Sequence, residues 1–181
     1  MKLLLHICCA PCSVMCIKKL RDDDISVTGY WYNPNIHPYT EYQSRLAALK
    51  GYSESISIPM IYNDFYGLRL FLKRIEGNID NRCGICYEER LTAVAKEAKK
   101  DGFDAFSTTL LISPYQQHEK IKIIGERIGN EIGIRFYYVD FRDFFREGQR
   151  IARSLPLYMQ KYCGCIFSEE ERYFSKTQTR K

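Results

Sequence analysis

The sequence lacks any long apolar run. None of its 181 residues belongs to an uninterrupted apolar stretch near the roughly 18 residues that a membrane-spanning helix requires. The apolar start at 1–5 is broken at His6 and followed by cysteines and charge, unlike a signal peptide. A transmembrane protein is therefore excluded, and we expect a cytoplasmic protein with no membrane partner. Internal repeats and low-complexity segments are also absent from the sequence.

The chain has no strong excess of charge of one sign. It carries 27 Lys and Arg against 22 Asp and Glu, a formal net charge of +5. A sequence pI near 8.7 is below the level at which basic charge alone indicates nucleic-acid binding. With 45% hydrophobic residues, the chain has enough apolar side chains for one ordinary core. This composition argues against a largely disordered protein.

Short β-rich runs and helical patterns alternate along the chain. They predict the order β-α-β-α-β-α-α-β-α-β-α, which favours a mostly parallel sheet with helices on both faces. We therefore predict a single Rossmann-like α/β domain over 1–167, followed by a polar, basic tail over 168–181. In the helical segments, Ser13 is the predicted cap of the first helix. The predicted strands cover 2–8, 26–33, 56–62, 103–111 and 134–141, and the last predicted helix covers 144–161.

Cysteine is the informative residue type. Eight cysteines occur in tight groups, while histidine, with three residues, forms no cluster beside them. A domain of this size needs no disulfides, and a reducing compartment favours metal or redox chemistry for clustered thiols. The alternative for any of these cysteines is a buried, inert thiol. For Cys16 this alternative explains the residue as well as metal or redox chemistry does. The cysteines stand at positions 8, 9, 12 and 16, at 83 and 86, and at 163 and 165.

Two of these groups suit metal ligation. Cys83 and Cys86 form a C-x-x-C at the predicted first turn of a helix, where the helix dipole favours thiolate. Cys8 and Cys9 end the first predicted strand, where ligands bind in parallel sheets. Four thiolates fit an iron–sulfur cluster or zinc, and their place in the predicted crevice favours the cluster.

The remaining cysteines have other interpretations. One glycine separates Cys163 from Cys165, which allows a strained, readily reduced disulfide suited to a two-electron relay. A second pair of metal ligands, or two inert thiols, is the alternative. Cys12 is near enough to Cys8 and Cys9 to be a ligand or a neighbouring thiol, and its spacing does not choose between them.

Four segments together resemble the epoxyqueuosine reductase QueH family. They occur in the family's order, span nearly the whole chain and show no departure at any cysteine. They read LHICCAPC at 5–12, RCGICYEERL at 82–91, STTLLISPY at 107–115 and YMQKYCGC at 158–165.

The resemblance implies an adenine-nucleotide-hydrolase-like α/β fold and the last step of queuosine biosynthesis. In that step, epoxyqueuosine at the wobble position of a tRNA loses its epoxide oxygen. The resemblance also implies a 4Fe-4S cluster on Cys8, Cys9, Cys83 and Cys86, and an additional mononuclear iron near it. It further implies a redox-active pair formed by residues 163 and 165.

The chemistry of the reaction adds one candidate and two kinds of partner. Removing the oxygen as water takes two electrons and two protons, so the reaction needs an electron donor, which the sequence does not identify. Asp64, after the third predicted strand, is a candidate acid or ligand of the second iron, with an ordinary surface carboxylate as the alternative. The tRNA partner needs aromatic platforms and cations, for which the aromatic candidates are Tyr30, Trp31, Tyr32, Tyr39, Tyr115 and Tyr137.

Two other functions compete with this interpretation. A tRNA-thiolating ATPase of a related fold would need a glycine-rich phosphate loop after the first strand, where this chain has Cys8 to Cys12 with a proline between them. A zinc-bearing tRNA-binding module without catalysis is the alternative from another class.

Overall fold

The computed structural model describes residues 1–178, with side chains to residue 174. Five strands and seven α-helices occur in these residues, so the predicted α/β class is confirmed. The strands are β1 Lys2–His6, β2 Ser26–Trp31, β3 Met60–Tyr62, β4 Ala105–Thr108 and β5 Arg135–Phe136. The helices are α1 Ala10–Asp22, α2 Tyr39–Ser55, α3 Leu68–Ile75, α4 Arg82–Lys100, α5 His118–Ile132, α6 Phe145–Ser154 and α7 Ile166–Gln178.

The strands form one fully parallel sheet in the order β3-β2-β1-β4-β5. The chain extends the sheet from β1 to β2 and β3 on one side and then crosses to β4 on the other. The strand order therefore reverses at β1, and a crevice opens outside the carboxyl ends of β1 and β4. Residues that directly follow these two strands are placed at this crevice.

The core is built on β1. Leu3, Leu4 and Leu5 are fully buried, as expected for a central strand that helices cover on both faces. In the register, Leu5 lies opposite Gly29 of β2 and Ser107 of β4. A Cβ at Gly29 would lie 2.2 Å from the sulfur of Met60, so a larger residue there would force the Met60 side chain to shift.

Two predicted elements are shorter than expected, and one predicted helix cap is misplaced. The β-rich run at 134–141 lies at the edge of the sheet and pairs with β4 only over Arg135–Phe136. The helix predicted over 144–161 ends at Ser154, where Leu155 is extended before Pro156. The cap predicted at Ser13 is also wrong, since α1 already begins at Ala10 with Pro11 in its first turn.

The segment predicted as a polar tail begins within a helix. Helix α7 covers Ile166–Gln178, so the predicted division after residue 167 falls inside it, and residues 179–181 lie outside the described part of the chain. No helix in the described part has both the length and the apolar character needed to cross a bilayer.

The central strand offers a test of this packing. Leu4→Ala removes a fully buried side chain, so we expect the free energy of unfolding to fall by about 2 to 5 kcal/mol. Urea denaturation followed by circular dichroism measures the change. Ile123→Ala, at a side chain 63% exposed on α5, is the control and should change it by no more than about 0.5 kcal/mol. Equal effects of the two substitutions would contradict the assignment of β1 as the core strand.

Candidate active site

Three thiols meet where β1 passes into α1. Cys9 is the extended residue before the helix (φ −171°, ψ 160°), and Cys12 lies one turn further on, so its side chain returns to the same side. The sulfur atoms of Cys8, Cys9 and Cys12 all lie within 4.8 Å of one another. The structure thus places Cys12 within the thiol group, a position that its spacing left undecided.

Hydrogen-bond donors converge on these sulfurs from two other segments. Thr109, directly after β4, accepts the amide proton of Cys8 at 3.1 Å and donates its hydroxyl to the Cys8 sulfur at 3.3 Å. The side-chain amide of Gln160 donates to the sulfur of Cys9 at 2.9 Å and to that of Cys12 at 3.6 Å. Donors aimed at sulfur stabilise thiolate, the form that binds metal.

The three thiols share negative charge unequally. Hydrogen bonds from Cys12 and Cys9 hold the pKa of the Cys8 thiol well below its usual value. Burial raises the pKa of Cys9. The pKa of Cys12 is raised by the hydrogen bond that Cys12 itself makes to Cys8. Cys8 is therefore the most acidic of the three thiols.

A second sulfur group forms around the start of α4. Cys86 and Cys165 belong to one small apolar cluster with Phe71 and Ile75. Burial raises the pKa of Cys83, and burial together with the neighbouring sulfurs raises that of Cys86 to about 12. Burial therefore acts against the thiolate form that the start of a helix favours at Cys83 and Cys86, and the role of both thiols as ligands stays a prediction.

Two buried arginines lie beside the sulfur groups. Arg45 pairs with Glu41 at 2.7 Å and donates to the carbonyl oxygens of Tyr162 and Cys163 at 3.0 and 2.8 Å. Arg90 is 2% exposed and donates through Nε to the carbonyl oxygen of Cys86 at 3.2 Å.

Arg90 lacks the usual compensation of a buried cation. Its Nη2 has no hydrogen-bond partner, and no carboxylate in the described part of the chain forms an ion pair with it. A buried guanidinium stays charged and is costly unless it is paired. A negative charge on Cys86, Cys163 or Cys8 would act on it. Arg90 therefore acts electrostatically on both sulfur groups.

The first sulfur group borders a cavity of about 740 Å³, whereas Cys83, Cys86 and Cys165 are outside its lining. Cys163 is exposed, lines the cavity and accepts a hydrogen bond from the Gln116 side chain at 3.2 Å, whereas Cys165 is buried. The cavity lining also includes Cys8, Cys9, Cys12, Arg45, Thr109, Ser113, Tyr115, Phe145, Arg153, Gln160, Lys161, Tyr162, Glu171 and Arg172.

The predicted site residues are thus distributed over three places. Cys8 and Cys9 form a group with Cys12 in which all sulfur atoms lie within 4.8 Å of one another. Cys83 and Cys86 do not belong to this group. Asp64 is exposed, lies outside the cavity lining and accepts a hydrogen bond from the Tyr42 hydroxyl at 2.7 Å. The assignment of four cluster ligands, and of a role for Asp64, stays a prediction.

Sequence reasoning missed the residues that support the sulfurs. Thr109, Arg90 and Gln160 stand inside the segments at 107–115, 82–91 and 158–165, but only as neighbours of more distinctive residues. Arg45 gave no signal at all, because a cation on a helix usually faces solvent.

The fold and the site define a Rossmann-like α/β protein with a thiol-lined cavity suited to metal binding and redox chemistry. Among solved structures, a predicted subunit of a tRNA methyltransferase from Methanocaldococcus jannaschii has a similar fold, with a TM-score of 0.58 over 99% of this chain and 88% of that chain. Its 10% sequence identity makes this a likeness of fold alone.

Sequence comparisons are more specific. The profile of the family described as epoxyqueuosine reductase QueH matches residues 3–171. The epoxyqueuosine reductase QueH of Dehalococcoides mccartyi is 41% identical over 95% of this chain and 94% of that protein. That of Thermotoga maritima is 35% identical, over 93% of this chain and 91% of that protein. The chain belongs to the epoxyqueuosine reductase QueH family, which confirms the resemblance found in its motifs.

His37 holds the segment that carries Cys163. Its Nε2 donates to the carbonyl oxygen of Pro34 at 3.1 Å, and its Nδ1 accepts the amide proton of Ile166 at 3.4 Å. Its backbone accepts the Tyr162 hydroxyl at 2.6 Å and donates to Gly164 at 2.7 Å. The ring is fully buried, and burial lowers its pKa to about 4. A protonated ring loses the acceptor at Nδ1, so this arrangement requires neutral His37.

We therefore expect acid to destabilise the protein through His37. Its pKa is about 4 when folded and about 6.5 when unfolded, so the unfolded state takes up the proton first as pH falls. Between pH 7 and pH 5 this single group should lower the free energy of unfolding by about 2 kcal/mol. Urea denaturation of the metal-free protein at the two pH values measures it. His37→Gln should show a pH dependence smaller by that amount, and an unchanged pH dependence would contradict the assignment.

Proposed function

We propose that this protein reduces epoxyqueuosine to queuosine at the wobble position of a tRNA. The observation that carries the proposal is the cavity shared by the close thiols Cys8, Cys9 and Cys12 and the exposed thiol of Cys163. It gives a metal-binding group and a redox-active thiol access to one substrate. Membership of the QueH family supports the reaction, and a cytoplasmic location stays a prediction.

The donor set fits a metal centre. Three thiols within 4.8 Å, hydrogen-bond donors aimed at sulfur and an uncompensated guanidinium all favour an anionic metal–sulfur group. We propose that Cys8, Cys9, Cys83 and Cys86 hold a 4Fe-4S cluster, and that Cys12 and Asp64 are candidate ligands of an additional iron. When bound, this centre would supply one-electron transfer and a Lewis acid for the epoxide oxygen.

The electron pair is assigned to Cys163 and Cys165. When this dithiol becomes a disulfide, it releases two electrons and two protons. The epoxide takes up both: its two C–O bonds break, a C=C bond forms and the oxygen leaves as water. Exposure of Cys163 in the cavity supports a direct role toward substrate, and Gly164 between the two cysteines has φ +146°, which side-chain-bearing residues rarely adopt. An external electron donor then returns the disulfide to the dithiol.

Several residues keep Cys163 in place for this step. Gln116 donates to its sulfur at 3.2 Å, and Arg45 donates to its carbonyl oxygen at 2.8 Å. A Cβ at Gly164 would lie 3.2 Å from Arg45 Nη1 and from Ile36, so a side chain there would disturb this arrangement.

Replacing the exposed thiol tests the relay. Cys163→Ser should abolish turnover of epoxyqueuosine tRNA, measured by mass spectrometry of the digested nucleosides, while the visible absorbance of the cluster stays intact. Cys165→Ser should do the same, since a disulfide needs both sulfurs. Cys16→Ser is the matched control, because Cys16 is fully buried in α1, and it should retain turnover. Turnover by the Cys163 variant would overturn the relay.

Metal and sulfide analysis tests the centre. After anaerobic reconstitution we expect iron and acid-labile sulfide, and Ala substitutions at Cys8, Cys9, Cys83 or Cys86 should each remove the cluster absorbance. Cys12→Ala should lower iron content and leave the sulfide content unchanged. Zinc without sulfide would instead support the non-catalytic zinc module, which the three close thiols would also suit.

A further inference from the structure

Tyr115 differs from every other aromatic candidate for base stacking. Tyr30 and Trp31 are buried, at 2% and 0% exposure, and Tyr32 and Tyr39 lie outside the lining of the 740 Å³ cavity. The ring of Tyr137 lies outside it too, under the guanidinium of Arg135. Tyr115 lines the cavity and is 84% exposed. Such exposure is costly for an aromatic ring that serves only packing.

The surroundings of Tyr115 fix its ring at the cavity. Phe145, also in the lining, contacts it edge to face, with centroids 5.9 Å apart and planes at 82°. The backbone amide of Tyr115 donates to the Ser113 hydroxyl at 3.3 Å. The next residue, Gln116, accepts the Tyr87 hydroxyl at 2.8 Å and donates to the sulfur of Cys163. The face of the ring stays open while its position is tied to the reactive thiol.

The charges of the cavity point to a polyanion. Arg153, Lys161 and Arg172 line it, and none of them forms an ion pair with a carboxylate among residues 1–174. Glu171 is the acidic residue of the lining, and its carboxylate is paired with Arg82. Among the described residues, the lining of the cavity therefore carries three positive charges that no carboxylate pairs.

We infer that Tyr115, supported by Phe145, stacks the base of a nucleotide turned out of an RNA loop, and that Arg153, Lys161 and Arg172 bind the phosphates beside it. An unpaired base with its backbone matches both the open ring face and the unpaired cations. This inference rests on the proposed function for the identity of the base. It adds the surface by which the RNA is held.

Binding of an anticodon stem-loop RNA tests the inference without turnover. Fluorescence anisotropy of labelled RNA should show that Tyr115→Ala binds about 5- to 150-fold more weakly, whereas Tyr115→Phe keeps wild-type affinity because stacking needs only the ring. Tyr39→Ala is the control: this tyrosine is 55% exposed outside the cavity and its loss should leave affinity unchanged. Wild-type affinity of Tyr115→Ala, or an equal loss in Tyr39→Ala, would overturn the inference.

The phosphate contacts have a separate readout. Arg153→Gln should weaken RNA binding and reduce the slope of log affinity against log salt by about 0.7 to 0.9, the change expected for one lost phosphate contact. Arg150→Gln, on the same helix but outside the cavity lining, should leave the slope unchanged. Identical slopes for wild type and Arg153→Gln would overturn this part.

The two proposals fail in different ways. RNA binding through Tyr115 without reduction of epoxyqueuosine would refute the proposed function and leave the inference standing. If the protein reduces epoxyqueuosine tRNA but Tyr115→Ala leaves its RNA affinity unchanged, the inference alone is refuted.

Discussion

The buried positive charge of Arg90 is the constraint around which this site is arranged. Its guanidinium is 2% exposed, has no carboxylate partner among residues 1–174 and stays charged at any physiological pH. Such a charge is tolerated only beside compensating negative charge. Of the three thiols whose charge would act on Arg90, at Cys8, Cys86 and Cys163, Cys8 is the one whose pKa is held low, so it is the group that can supply this charge. Ionised sulfur and the arginine therefore stabilise each other, and a metal–sulfur centre would keep that sulfur ionised.

The sheet topology explains how distant parts of the chain reach this charge. Since strand order reverses at β1, the residues after β1 and β4 border one crevice, where Cys8 meets Thr109. Helix α4 adds Arg90 and Cys86 from beside the sheet. The segment after α6, which has no regular structure before α7, adds Gln160 and Cys163. No single motif forms the site; four segments each contribute sulfur or a group that contacts sulfur.

The segment with Cys163 is held by hydrogen bonds more than by apolar packing. Arg45 fixes two of its carbonyl oxygens, His37 contacts it through both backbone and ring, and Gln116 holds the thiol itself. Apolar burial would have covered the thiol, whereas polar anchoring leaves it open to the cavity. Tyr115 precedes Gln116 in the same loop. The Cys163 thiol and the proposed stacking surface are therefore positioned together.

The fold class, the thiol groups and the family could all be predicted from residue types and their spacing along the chain. Strand periodicity and the LHICCAPC and YMQKYCGC segments carry that information locally. Folding was needed to show that Cys12 joins Cys8 and Cys9, that Cys83 and Cys86 lie where burial raises their pKa, and that Tyr115 is the one aromatic candidate of six that lines the cavity. The structure also shows that the edge strand β5 is short and that helix α7 begins at Ile166, just before the predicted tail. Burial, pairing and access are relations between segments far apart in sequence, and they take a definite value only when the chain has folded.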